Sequence, residues 1–233
     1  MKQVGRYILI LVVVMALWNT VIIKPLKIFT VFLHEIGHTV MAFIFGYGIH
    51  DFKVNLNESG YTLVQSKGWF SSFMIANGGY LGSVLFALLI LYLKRTRFKK
   101  FILGTAAILL LAVSIKFSGF SFTLLYSVIF AAFVLVLYMI QNEKVNDWVI
   151  DIIGVSSAAY AIYDTFVDTI LLQLNMKLQL FEGWKIEQPL TDAIQLAKMT
   201  GIPAFLWGII WLGIAVFAVN MALLRTKAGK SRR

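Results

Sequence analysis

His34, Glu35 and His38 carry the pattern H-E-x-x-H within Leu33-His34-Glu35-Ile36-Gly37-His38-Thr39. Residues four apart on a helix share a face, so the two imidazoles can turn toward one metal ion. Glu35 sits one step round the helix, where it can reach a water beside that ion without ligating it. Such a set suits metal-assisted hydrolysis: the ion acidifies water and the carboxylate takes the proton. Of the three histidines in the chain, two fall on this motif; the third is His50. The motif lies in an apolar run of membrane length. An ionised side chain at mid-span costs about 2.5–3.5 kcal/mol on insertion scales, which a purely structural helix has no means to offset.

The elements that must position these residues are set by the composition. The chain is 60% hydrophobic and only 14% charged, with a mean hydropathy of +0.83. These values predict an all-α polytopic membrane protein of about seven transmembrane helices. With no cysteine, disulfides, thiolate metal sites and thiol nucleophiles are excluded. The net charge of +10 is gathered at Lys94, Arg95, Arg97, Lys99 and Lys100 and at Arg225, Lys227, Lys230, Arg232 and Arg233. Both clusters abut apolar runs, as in cytoplasmic loops and tails, which argues for a lipid bilayer as partner and against nucleic acid.

Taken in order, residues 7–23 read as a retained first span, because Trp18-Asn19-Thr20 makes a poor cleavage site. Pro25 then opens a metal helix from about Leu26 to Phe45, closed by Gly46-Tyr47-Gly48. Residues 49–66 give one inserted β-hairpin, with Phe52–Leu56 alternating, Asn57–Gly60 turning and Tyr61–Gln65 rich in strand formers. Its unpaired edge could hold an extended peptide, making Val54, Asn55, Tyr61, Thr62 and Leu63 candidate substrate-binding residues. A third span, Trp69–Leu93, contains Asn77-Gly78-Gly79; the glycines favour close helix approach, and Asn77 is either packing glue or a substrate contact. Further spans are expected over about 101–115, 122–140 and 149–172. A polar loop over 175–189 follows. A helix opened by Leu190-Thr191-Asp192-Ala193 then continues through Gly201-Ile202-Pro203 into a last span ending near Leu224. Residues 1–224 thus read as a single transmembrane domain and 225–233 as a basic tail.

A catalytic zinc site takes three protein ligands and keeps one position open. Beside His34 and His38, the third is His50 or a carboxylate: Asp164, Asp168 or Asp192. If the hairpin does not cross, all four lie toward the same half of the membrane, so depth does not choose among them.

The H-E-I-G-H motif, followed by a hairpin and a Gly-Gly span, resembles the site-2 protease family of intramembrane zinc metallopeptidases. Thr191-Asp192-Ala193, Leu196-Ala197, Thr200-Gly201-Ile202-Pro203-Ala204 and Trp207 resemble its short, single-domain subgroup. The resemblance implies Zn2+ held by His34, His38 and Asp192, with Asp164 and Asp168 as alternates, and Glu35 as catalytic base. The Leu-Asp-Gly and Asn-Pro-x-Pro stretches that carry the third ligand in better-studied members are missing from these residues, as are PDZ-like and CBS-like segments.

The expected activity is hydrolysis of peptide bonds in or near a transmembrane segment of a membrane-protein substrate, in a multi-pass protein of a bacterial cytoplasmic membrane. The rival readings are a proteolytically inactive zinc-binding scaffold or chaperone and a metal or ion transporter. No internal symmetry of the transporter kind is visible. Counting charges over seven spans places Lys24, Lys27 and both basic clusters on one side, with Lys2 and Arg6 opposite.

Overall fold

The computed structural model describes residues 2–172, 174–175 and 191–228. The polar stretch 176–190 and residues 229–233 of the basic tail lie outside the described residues. The described residues form a bundle of α-helices with one small hairpin, and six helices among them are long and apolar enough to cross a membrane. α1 (Lys2–Ala16) precedes α2 (Lys24–Phe45), and β1 (Ile49–Val54) pairs antiparallel with β2 (Gly60–Val64). α3 (Trp69–Leu93), α4 (Ile102–Phe117) and α5 (Phe122–Ile140) follow. α6 (Glu143–Phe166) runs on as a π-helical turn, Val167–Leu171; then come α7 (Asp192–Thr200) and α8 (Ala204–Ala228).

The first expected span holds the short apolar helix α1. α1 has 15 residues, about 22 Å of helix against a hydrocarbon core of about 30 Å. It stops where Thr20 turns back to donate its hydroxyl to the Leu17 carbonyl at 2.6 Å. Among the described residues, six span-length helices and one short apolar helix answer to the about seven spans expected. Arg6, expected opposite the basic clusters, instead lies beside one of them. The buried carboxylate of Asp151 on α6 accepts from Arg6 at 2.8 Å and from Lys94, the residue that follows α3. The N-terminal part of α1 and the basic loop after α3 thus meet at one end of the bundle. Lys27 instead reaches the hairpin tip, 3.3 Å from Glu58, beneath the ring of Trp18.

α2 and α3 are the central pair. They approach so closely that a Cβ on Gly37 would lie 2.1 Å from the Gly78 carbonyl oxygen, which is why small residues face each other here. The hairpin folds back along α2: Phe52 packs on Phe32, and Gly60 lies against Val31 and Glu35. Its loop is Asn55–Ser59, with Asn55 N–H donating to the Ser59 carbonyl at 2.8 Å and Glu58 in the left-handed region. α6 starts at Glu143, six residues earlier than its apolar run suggests, because the Asn142 side chain caps its first turn. The predicted continuous final helix is broken. Gly201, at φ +75°, ends α7, and α8 begins after Pro203.

Candidate metal centre

α2 supplies three of the side chains in question. His34 and His38 lie one turn apart and face α3, while buried Glu35 faces the hairpin. The fourth comes from α7. Thr191 caps that helix by accepting from the Ile194 N–H at 3.4 Å, which sets Asp192 in the first turn, where the helix dipole favours a carboxylate. Ala193 and Leu196 of α7 are fully buried in a cluster with Ala76 and Tyr80 of α3 and Trp207 and Trp211 of α8. That packing carries Asp192 across 158 residues of sequence to the histidines.

The three donors form a nearly equilateral triangle. Asp192 Oδ2 lies 3.1 Å from His34 Nε2 and 3.1 Å from His38 Nε2, and the two nitrogens are 3.1 Å apart. A tetrahedral zinc ion with bonds of about 2.0–2.1 Å spaces its ligands roughly 3.3 Å apart, so the donor set fits that ion. His38 Nδ1–H donates to the Ile75 carbonyl of α3 at 2.8 Å. This fixes the neutral tautomer whose Nε2 lone pair points into the triangle. The His34 ring stands edge-on to Tyr80, centroids 4.6 Å apart, and Tyr80 in turn stacks on Trp211. Gly79 supplies the space: a Cβ there would lie 2.3 Å from His34 Nε2 and 2.5 Å from His38 Nε2.

The other candidates are placed elsewhere. Among the described residues, His34, His38 and Asp192 are the one group of ligating side chains close enough to share an ion. His50, on β1, faces Gln65 at 3.3 Å. Asp168, on the π-helical turn, accepts from the Tyr80 hydroxyl at 3.1 Å, and Asp164 lies one turn before it on α6. Of the residues proposed for substrate, Val54 has its N–H and carbonyl engaged by the Thr123 hydroxyl, and Asn55 is bonded to Ser59. Asn77 accepts from Trp211 at 2.8 Å and donates to the Phe73 carbonyl, a packing role. Tyr61 donates to Asp51 at 2.7 Å, and Leu63 is exposed. Thr62 donates its hydroxyl to Glu35 Oε2 at 2.7 Å. Gly79 as a cradle and Ile75 as the histidine's acceptor are not apparent from residue types. Their one sequence signal is the Asn-Gly-Gly step in α3.

A profile of the peptidase M50B-like family matches residues 7–222. The chain belongs to the peptidase M50B-like family. It is thereby a member of a site-2 protease family, with a membrane peptidase fold. No curated protein and no solved structure matches it. The match extends over α2 and α7, so all three donors of the triangle fall inside the family's own boundaries.

Proposed function

We propose that this M50B-like chain is a zinc-dependent intramembrane endopeptidase that hydrolyses peptide bonds in or near transmembrane segments of other membrane proteins. The observation that carries the reading is the convergence of His34, His38 and Asp192 beside a buried glutamate that ligates nothing in the triangle. A zinc ion held by those three residues would supply Lewis acidity, polarising a carbonyl and acidifying water.

The protein's own groups account for the rest. Glu35 takes a proton from the attacking water and returns it to the leaving amine. A helical peptide bond is shielded by its own hydrogen bonds, so the substrate must be extended at the point of cleavage. The hairpin offers a template for that. One edge of β1 is met by Thr123 and the other by β2, which leaves the outer edge of β2 for a further strand. The Asn55–Ser59 bond sets the alternation: Tyr61 and Leu63 turn their backbone groups toward β1, whereas Gly60, Thr62 and Val64 turn theirs outward. Gly60 and Thr62 are also the residues that lie on Glu35. A substrate strand added there would therefore run past the base and the metal centre.

The test is Glu35→Gln. The variant should retain zinc at wild-type stoichiometry while losing cleavage of single-span membrane proteins co-reconstituted with it in liposomes. Undiminished cleavage by a zinc-loaded Glu35→Gln protein would remove the mechanism.

A further inference from the structure

Glu35 is anchored from outside its own helix. Its Oε2 accepts the Thr62 hydroxyl at 2.7 Å, and Thr62 Oγ1 also lies 3.3 Å from the Glu35 carbonyl oxygen. On the same face of β2, two residues earlier, Gly60 leaves the room that the other carboxylate oxygen uses. A Cβ at Gly60 would stand 2.7 Å from Glu35 Oε1, 3.0 Å from its Cγ and 2.9 Å from Val31 Cγ1. One strand thus fixes both oxygens of the carboxylate, one by a hydrogen bond and the other by the shape of a bare Cα. The hairpin is itself pinned at its tip by Lys27–Glu58 and on its β1 side by Thr123.

We infer that Thr62 is a positioning residue for the general base, so that the strand offered to substrate also sets where Glu35 points. This rests on the endopeptidase reading. It assigns the Thr62 side chain a task separate from the backbone pairing of β2. Strand alternation makes the two tasks compatible: the Thr62 N–H and carbonyl lie in the sheet plane toward the outer edge, while its hydroxyl projects perpendicular to it, onto α2. A peptide bond held by the Thr62 backbone and the base held by its hydroxyl are then in fixed register. Gly60 is needed for the same reason, because any side chain there displaces Glu35.

The experiment uses the zinc-loaded full-length chain in detergent and four variants: Thr62→Val, Thr62→Ser, Gly60→Ala and Glu35→Gln. Valine keeps the shape and strand preference of threonine without the hydroxyl. The first readout needs no turnover. It is the affinity of a short peptide hydroxamate, whose chelating group also donates a hydrogen bond to a carboxylate in the position of Glu35. Thr62→Val should weaken binding by about tenfold, the loss of one hydrogen bond to a charged group, with zinc content unchanged. Thr62→Ser should restore it, and Gly60→Ala should resemble Thr62→Val. The second readout is cleavage, where kcat should fall by up to about 100-fold in Thr62→Val at unchanged KM, as for a misplaced catalytic group.

If the methyl rather than the hydroxyl matters, serine will behave worse than valine, and the inference is overturned. Wild-type hydroxamate affinity in Thr62→Val overturns it too. If wild type binds the hydroxamate yet cleaves nothing, the endopeptidase reading fails while the hydroxamate series still decides the role of Thr62. If wild type binds neither zinc nor hydroxamate, both fall.

Discussion

Replacing Gly79 with alanine tests the metal centre without touching a ligand. The added methyl would begin 2.3 Å from His34 Nε2 and 2.5 Å from His38 Nε2. An ordinary contact needs about 3.4 Å or more, so each nitrogen would have to retreat by roughly 1 Å. Neither ring is free to do so. His38 is tethered through Nδ1 to the Ile75 carbonyl at 2.8 Å, and His34 is held edge-on against Tyr80. Ligand distances in a zinc site tolerate only about ±0.2 Å. At least one imidazole should therefore leave the coordination sphere, weakening zinc binding by about 100-fold or more, beyond the 10–100-fold of an outer-shell change. The helix itself should not suffer, since alanine is the better helix former by about 1 kcal/mol. Chelator competition on purified protein measures the affinity, and helical content by circular dichroism controls for folding. Gly213→Ala, at a site where a Cβ meets nothing within 4 Å, should bind zinc as wild type does. Wild-type affinity in Gly79→Ala would show that the two nitrogens do not converge beside α3, and the centre as described would be wrong.

Asp192→Ala should lose bound zinc, whereas Asp168→Asn and Asp164→Asn should retain it; metal analysis of the three proteins side by side decides, and zinc retained only in Asp192→Ala would reverse the ligand assignment. Asp151→Ala leaves Lys94, with 7% of its side chain exposed, facing Arg6 without a counter-charge. Breaking a buried pair of this kind costs about 3–5 kcal/mol, so thermal unfolding in detergent should shift downward by many degrees; a shift within error would mean that water reaches the cluster. Glu58→Gln removes the anion beside Lys27, a residue only 9% exposed. Because Glu58 is itself partly exposed, the expected loss is about 1–2 kcal/mol. It should appear as faster amide hydrogen exchange confined to the hairpin, and unchanged exchange there would mean that the tip is not pinned by this pair.

The legible parts of this molecule were those where one physical rule acts alone. Spans over 69–93 and 122–140 follow from apolar length, and the Gly46 stop of α2 and the hairpin over 49–66 follow from turn residues. The part read differently is one where two rules compete. Sequence reading runs the last helix on through Gly201-Ile202-Pro203, yet the positive φ of Gly201 ends it, and that break lets α7 lie across α3 with Asp192 at its leading edge. For the metal centre, the i, i+4 rule names the two histidines from spacing alone, because both donors sit on one element. The third donor depends on how α7 packs, which brings Asp192 to His34 across 158 positions of sequence; helix spacing does not select it, and only the resemblance over Thr191-Asp192-Ala193 points to it. The same limit explains Thr62. Period-two alternation shows which strand residues share a face but not what that face meets, so the hydroxyl on Glu35 emerges only once the hairpin is seen lying back along α2. In this chain, chemistry within one helix could be read from spacing, and chemistry assembled between elements could not.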